Sequence, residues 1–178
     1  MSPRFALKTA TDDVHARLDT LLSKLNLSDR GDYSTFLVTQ ARVLPALEQA
    51  LDSFGMGRIV EDWDEHRRSG LLEADLAELG RAMPESLEIP AIATVPQALG
   101  AAYVMEGSRL GGQMLKKSVG RGMPGSFLFP NGQKAAWPAL VAALDENLES
   151  APQLDEAKTA ARRTFDLFLE AARMSGLE

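Results

Sequence analysis

Apolar residues recur along this chain at helical spacing, and no stretch alternates apolar and polar residues in the way a strand does. The first helix is announced by Ser2 at the N-cap and Pro3 at the first helical position. Ala10, Val14, Leu18, Leu21, Leu22 and Leu25 follow on one face, so the spacing predicts a helix from Pro3 to about Leu25. A second helix is expected from Asp32 or Ser34 through Phe36, Leu37, Val43, Leu44, Leu47 and Leu51 to Gly55. Pro45 lies inside it and should bend or break it, because proline has no N–H to donate and its ring clashes with the preceding turn.

Two shorter helices are expected at Ile59 to Arg68 and Leu71 to Leu79, separated by Gly70 and closed by Gly80. Met83 to Thr94, with Pro84 and Pro90, reads as loop. A long helix then runs from Val95 or Pro96 to about Val119, although Gly100, Gly107, Gly111 and Gly112 all fall within it. Each costs about 1 kcal/mol against alanine in a helix interior, so four together need a reason. Gly120 to Gly132 reads as a second loop, and two last helices cover roughly Lys134 to Glu149 and Leu154 to Met174. The expected fold is all-α and a single domain over residues 1–178, with no internal repeat.

Composition narrows the chemistry. A chain of 178 residues with 45% apolar and 25% charged residues is globular, and the absence of cysteine removes disulfides, thiolate nucleophiles, thiolate zinc sites and iron–sulfur clusters. Any metal must be held by nitrogen or oxygen. A net charge of -6 argues against nucleic acid as a partner, which needs a basic face. The N-terminus lacks the uninterrupted apolar stretch of a signal peptide. The most apolar segment, Ile89 to Met105, is broken by Pro90, Thr94, Pro96 and Gln97, so a cytoplasmic location and no membrane partner are expected.

The chain has two histidines, His15 and His66. On the first helix Lys8, His15 and Asp19 fall within about 40° of one another. An imidazole four residues before a carboxylate can give it one ring N–H, directly or through water, and keep the other nitrogen for a metal. Lys8, two turns away, could neutralise an anionic tail of the same ligand. The plainer alternative is an exposed histidine among ordinary helical charge pairs. His66 stands among Asp62, Asp64, Glu65, Arg67 and Arg68 and is expected to be solvated.

On the glycine-rich helix, Gly100, Tyr103, Gly107 and Gly111 share a stripe that Gly112 borders. A stripe almost free of side chains lets a flat ligand approach the backbone and permits a kink near Gly107 to Gly112. It is equally compatible with close packing of a neighbouring helix.

Two strings together resemble the heme oxygenase family: Leu7-Lys8-Thr9-Ala10-Thr11-Asp12-Asp13-Val14-His15 and Glu106-Gly107-Ser108-Arg109-Leu110-Gly111-Gly112-Gln113-Met114-Leu115-Lys116-Lys117. Glu156 to Ala160 and Leu167-Phe168 fit the same alignment. The resemblance implies a heme between a proximal first helix and a kinked, glycine-rich distal helix. In it His15 matches the axial iron ligand, Asp19 the acidic residue that orients it, and Lys8 and Tyr103 residues that meet propionates. Gly107, Gly111 and Gly112 match the distal glycines. The implied reaction is oxygen-dependent cleavage of heme to biliverdin, carbon monoxide and ferrous iron, fed by an external electron donor such as a ferredoxin or a reductase.

The chain departs from the animal-type pattern in two places. Ser108 stands where those enzymes carry aspartate, as in several bacterial members. Trp137 to Ala142 carries none of the basic residues they place on the penultimate helix, which leaves Lys8, Tyr103, Arg109, Lys116 and Lys117 as propionate candidates. Two other readings stay open: a heme-binding or signalling module without turnover, and a nonheme di-iron oxidase using Asp12 and His15 with Asp62 and His66.

Overall fold

A computed structural model describes residues 1–128 and 136–178, and among them every regular element is helical. The helices are α1 (Pro3–Leu22), α2 (Arg30–Ala41), α3 (Leu44–Phe54), α4 (Ser69–Glu78), α5 (Val95–Leu115), α6 (Ala136–Asn147) and α7 (Ala151–Met174). Local chemistry marks most of the starts. Asp29 accepts from the backbone N–H groups of Gly31 and Asp32, Thr94 from that of Gln97, and Ser150 closes a reciprocal capping box with Gln153. That box starts α7 at Ala151, three residues before the expected Leu154.

Other boundaries moved for similar reasons. The expected break at Pro45 falls between Ala41 and Leu44, giving α2 and α3. Gly55 closes α3 in the left-handed region at φ 93°. α1 stops at Leu22 rather than Leu25, because Ser23 bonds back to the Thr20 carbonyl and the chain turns. α5 ends at Leu115 and passes into a 3-10 turn at Lys116–Ser118. Of the expected helix over Ile59 to Arg68 only a 3-10 turn at Trp63–His66 forms, after another at Met56–Arg58. Residues three apart eclipse in a 3-10 turn, so Trp63 and His66 both reach the interior, where their rings stack at 5.1 Å. The expected start of the penultimate helix at Lys134 lies outside the described residues.

α7 is the axis of the fold. α1 and α5 both pack along it and touch each other little. Ala157, Ala161, Phe165, Phe168, Leu169 and Ala172 form its buried stripe. Gly100 permits the close crossing of α5: a Cβ there would collide with the Ala157 carbonyl oxygen and meet the Ala160 Cβ at 3.0 Å. The segment before residue 129 is pinned from beneath. Buried Asp75 accepts from the Ser126 and Phe127 N–H groups at 3.1 and 2.8 Å, and the Tyr33 hydroxyl donates to the Pro124 carbonyl at 2.8 Å.

An Arg162 fork clamps α7 to α1, with Nη1 and Nη2 at 2.6 and 2.9 Å from the two Asp13 oxygens and Nη1 also on the Ala10 carbonyl. Its hydrogen bonds hold the Asp13 carboxyl at about 2, below the usual 3.8. A carboxyl depressed in the folded state stabilises fully above its unfolded pKa and loses that contribution as pH falls through the folded one. Wild type should therefore exceed Arg162→Ala in urea midpoint above about pH 4, with the gap closing toward pH 2. A gap that stays constant across this window refutes the clamp.

Candidate functional site

Helix α1 turns Lys8, Asp12, His15 and Asp19 outward. Lys8 pairs with Asp12 at 3.0 Å on the exposed face. The His15 ring leans on Phe165 of α7, centroids 5.3 Å apart, while Nε2 lies 3.6 Å from an Asp19 oxygen, beyond hydrogen-bond length. No hydrogen bond among the described residues engages either ring nitrogen, although the side chain is 55% exposed. One side of the imidazole is thus held by an aromatic ring and the other is available.

On α5 the glycines divide into two kinds. Gly100 is buried against α7, and a Cβ on Gly112 would come within 3.0 Å of the Leu128 Cδ2. A Cβ on Gly107 or Gly111 would meet nothing within 4 Å. Leu110, 39% exposed, and Met114, 82% exposed, lie on the same stripe as these open glycines, so this face is apolar, nearly bare and uncovered by the described residues. Tyr103, half-buried, continues the stripe and tilts against Trp137. Burial, with Asp12 adding to it, pushes the Tyr103 hydroxyl up in pKa, so it stays protonated and can donate. Lys116 and Lys117 are exposed just past the end of α5.

Behind α5 lies a charged cluster that the sequence did not disclose. His66, expected to be solvated, is 1% exposed and its Nδ1 is 3.1 Å from Glu106 Oε1. Arg109, expected as a propionate candidate, points the same way. Its Nη2 donates to the His66 carbonyl at 2.6 Å and to Glu106 Oε1 at 2.9 Å, and its Nε is 2.9 Å from Oε2 without the alignment of a hydrogen bond. The reason for both corrections is Glu106, whose buried carboxylate needs opposite charge and donors. Burial alone would raise the Glu106 pKa, but the His66 hydrogen bond and the Arg109 charge outweigh it and the net shift is downward.

Arg68 completes the cluster. Its backbone N–H donates to Glu48 Oε1 at 2.7 Å, its guanidinium lies 4.9 Å over the Phe127 ring, and Nη2 donates to the Met105 carbonyl at 3.0 Å and to Ser108 Oγ at 3.2 Å. Burial and then the Arg109 charge lower it to about 10, which leaves it protonated at neutral pH. A signal was present in the sequence. Glu48 sits on the apolar stripe of Leu44, Leu47 and Leu51, and Glu106 precedes Arg109 by one turn.

One cavity of about 240 Å³ opens between α7 and the segment around Ile89, and another of about 300 Å³ lies beside His66 and Ala139. Neither is lined by His15, Gly107 or Gly111. Among the described residues no group of three or more histidine, cysteine or carboxylate side chains is arranged to hold a metal. His66 is committed to Glu106, so the second half of a di-iron site is not formed.

The geometry therefore defines a class: a helical protein with an available imidazole on one helix and a bare apolar face on another, both helices packed along α7, suited to a flat metal-bearing ligand. A profile of the heme oxygenase family matches residues 4–173. The chain is 27% identical over 146 residues to a heme oxygenase of Xanthomonas campestris pv. campestris, covering 79% of this chain and 88% of the relative. It is 30% identical over 149 residues to heme oxygenase PigA of Pseudomonas aeruginosa, covering 78% and 75%. In structure it resembles the NO- and CO-bound heme oxygenase of Neisseria meningitidis, with a TM-score of 0.82 at 23% identity over 100% and 94% of the two chains. The heme oxygenase of Leptospira interrogans gives 0.74 at 20% identity over 98% and 100%. The chain belongs to the heme oxygenase family and is a heme-degrading enzyme.

Proposed function

We propose that this single-domain protein cleaves heme with oxygen to biliverdin, carbon monoxide and ferrous iron, using electrons from an external donor such as a ferredoxin or a reductase. In this reading it works in the cytoplasm. No described helix is long and apolar enough to cross a membrane. The observation that carries the reading is the open glycine face of α5, where Gly107 and Gly111 front empty space between exposed Leu110 and Met114. Heme, when bound, supplies the redox iron and the ring that is itself oxidised. His15 would hold the iron through one ring nitrogen, with Asp19 close enough to receive the other N–H through a water. The glycines would let the ligand approach the backbone and exclude bulk from the far side. Lys8, Tyr103, Lys116 and Lys117 would receive the propionates, and buried Arg109 is withdrawn from that role.

Anaerobic heme titration, then reduction under oxygen, tests the proposal. A histidine-ligated Soret spectrum that gives way to biliverdin is expected. A stable complex that never turns over favours the heme-binding module, and no complex at all refutes both readings.

The propionate anchors give a separate expectation. Lys8→Ala and Tyr103→Phe each remove one ionic or hydroxyl contact, worth about 1 to 2 kcal/mol. Together they should weaken heme binding by about 30-fold or more or change the ratio of biliverdin isomers. If affinity and isomer ratio both stay at wild-type values, the anchors lie elsewhere.

A further inference from the structure

The cavity of about 240 Å³ beside Ile89 is bordered along one side by a single face of α7. Glu156, Thr159, Ala160, Arg163, Thr164 and Leu167 line it at the three- and four-residue spacing of one helical stripe. Buried Leu47 of α3 and Ala101 of α5, with half-buried Ile89 and Ile92 of the segment before α5, make most of the remaining lining apolar.

The polar side chains around this cavity are occupied, with one exception. Gln97 donates from its amide nitrogen to Glu156 Oε1 at 2.8 Å and accepts the Ala93 N–H at 2.9 Å, and the Thr94 hydroxyl donates to the same Glu156 oxygen at 2.8 Å. Thr159 and Thr164 each donate to the carbonyl one turn back, those of Asp155 and Ala160, at 2.9 Å. Arg163 is the exception: among the described residues its guanidinium has no hydrogen bond, ion pair or ring contact. Its neighbour Arg162 is committed to Asp13 on α1. An apolar cavity is thus left with a single uncommitted side chain, and that side chain is a cation.

We infer that this cavity is a second binding site, for a small apolar monocarboxylate whose carboxylate is held by Arg163 and whose tail lies against Leu47, Ala101, Ile89 and Ile92. A guanidinium offers planar paired donors that match a carboxylate, and it has no acceptor that would suit a cationic ligand. Size limits the tail. A dry apolar cavity of roughly 150 Å³ takes a benzene ring, so about 240 Å³ suits a ligand of about ten heavy atoms. Glu156 lies on the same stripe about two turns from Arg163, and its charge repels a carboxylate from that end. The head is therefore directed to Arg163. Entry is through the segment before α5. Among the described residues no main-chain group of residues 88–92 is hydrogen-bonded, and Pro90 has no N–H to bond, so this wall can move without breaking a bond. None of these residues belongs to the proposed heme face, and the inference does not depend on that reading.

The test titrates octanoate, octanol and octylamine into the full methyl-labelled chain, with and without heme, and follows the methyl resonances by NMR. Octanoate should shift the signals of Leu47, Ile89 and Ile92 saturably in both states, while octanol and octylamine bind about tenfold more weakly or not at all. Arg163→Gln removes the cation from an exposed position and should leave the spectrum of the free chain otherwise unchanged. In that variant octanoate should bind about tenfold more weakly, no better than octanol. Equal affinity for octanoate and octanol in the wild type, or undiminished octanoate binding in Arg163→Gln, overturns the assignment of the anchor and the ligand class with it. Shifts confined to Leu110 and Met114 place the ligand on the open face of α5 and overturn the site, as does the absence of any saturable shift.

Discussion

His15→Ala should abolish the histidine-ligated heme spectrum and cut single-turnover biliverdin formation by at least about 100-fold, roughly 3 kcal/mol in the barrier, while leaving the fold nearly untouched. The asymmetry follows from exposure. A side chain that is 55% exposed and makes no hydrogen bond contributes little to stability, so the melting temperature should move by no more than a surface substitution allows. No other histidine or cysteine can take over, because the chain has no cysteine and His66 is buried and bound to Glu106. Added imidazole should restore part of the spectrum by occupying the vacated space beside Phe165. His66→Leu serves as the opposite control. It should keep the spectrum but lose about 2 kcal/mol or more of stability, since it leaves the buried Glu106 carboxylate short of a partner. An unchanged spectrum in His15→Ala would show that the iron ligand is not His15.

The split between these two histidines shows where a sequence stops being informative. His15 was legible because its companions Lys8 and Asp19 lie on the same helix, where spacing alone sets the geometry. His66 was misread because its sequence neighbours are charged while its actual partner is 40 residues away on α5. A 3-10 turn that eclipses Trp63 and His66 buries both, and nothing in the helical period signals so short an element. Arg109 failed for the same reason: its helix position was known, but the burial of Glu106 beside it decides which way it points. The helices themselves were readable, since their apolar stripes are long and their breaks carry Pro45 and Gly55, although the Ser150 cap that sets the start of α7 was missed. Gly100 and Gly107 share one stripe, yet only the placement of α7 distinguishes the glycine that is covered from the one that is open.

That distinction yields the last expectation, in which the glycines of α5 respond in opposite ways to the same added carbon. Gly100→Ala should destabilise the fold by about 1 to 3 kcal/mol, because the new methyl collides with the Ala157 carbonyl, a backbone atom that cannot swing aside. Gly107→Ala and Gly111→Ala meet nothing within 4 Å and have no left-handed backbone to lose. Each should therefore raise stability by about 0.5 to 1 kcal/mol through helix propensity alone. Gly107→Leu and Gly111→Leu should likewise leave the apo fold intact, yet place an isobutyl group where the ligand is proposed to lie. Heme affinity and single-turnover yield should then fall by about tenfold or more with no matching drop in melting temperature. Stability and activity thus separate along a single helix, falling together at Gly100 and parting at Gly107 and Gly111. Thermal denaturation, heme titration and single-turnover yield across the five variants measure this separation. If both leucine variants turn over heme at the wild-type rate, the open face of α5 is not the ligand face, and its bare glycines need another explanation than access to heme.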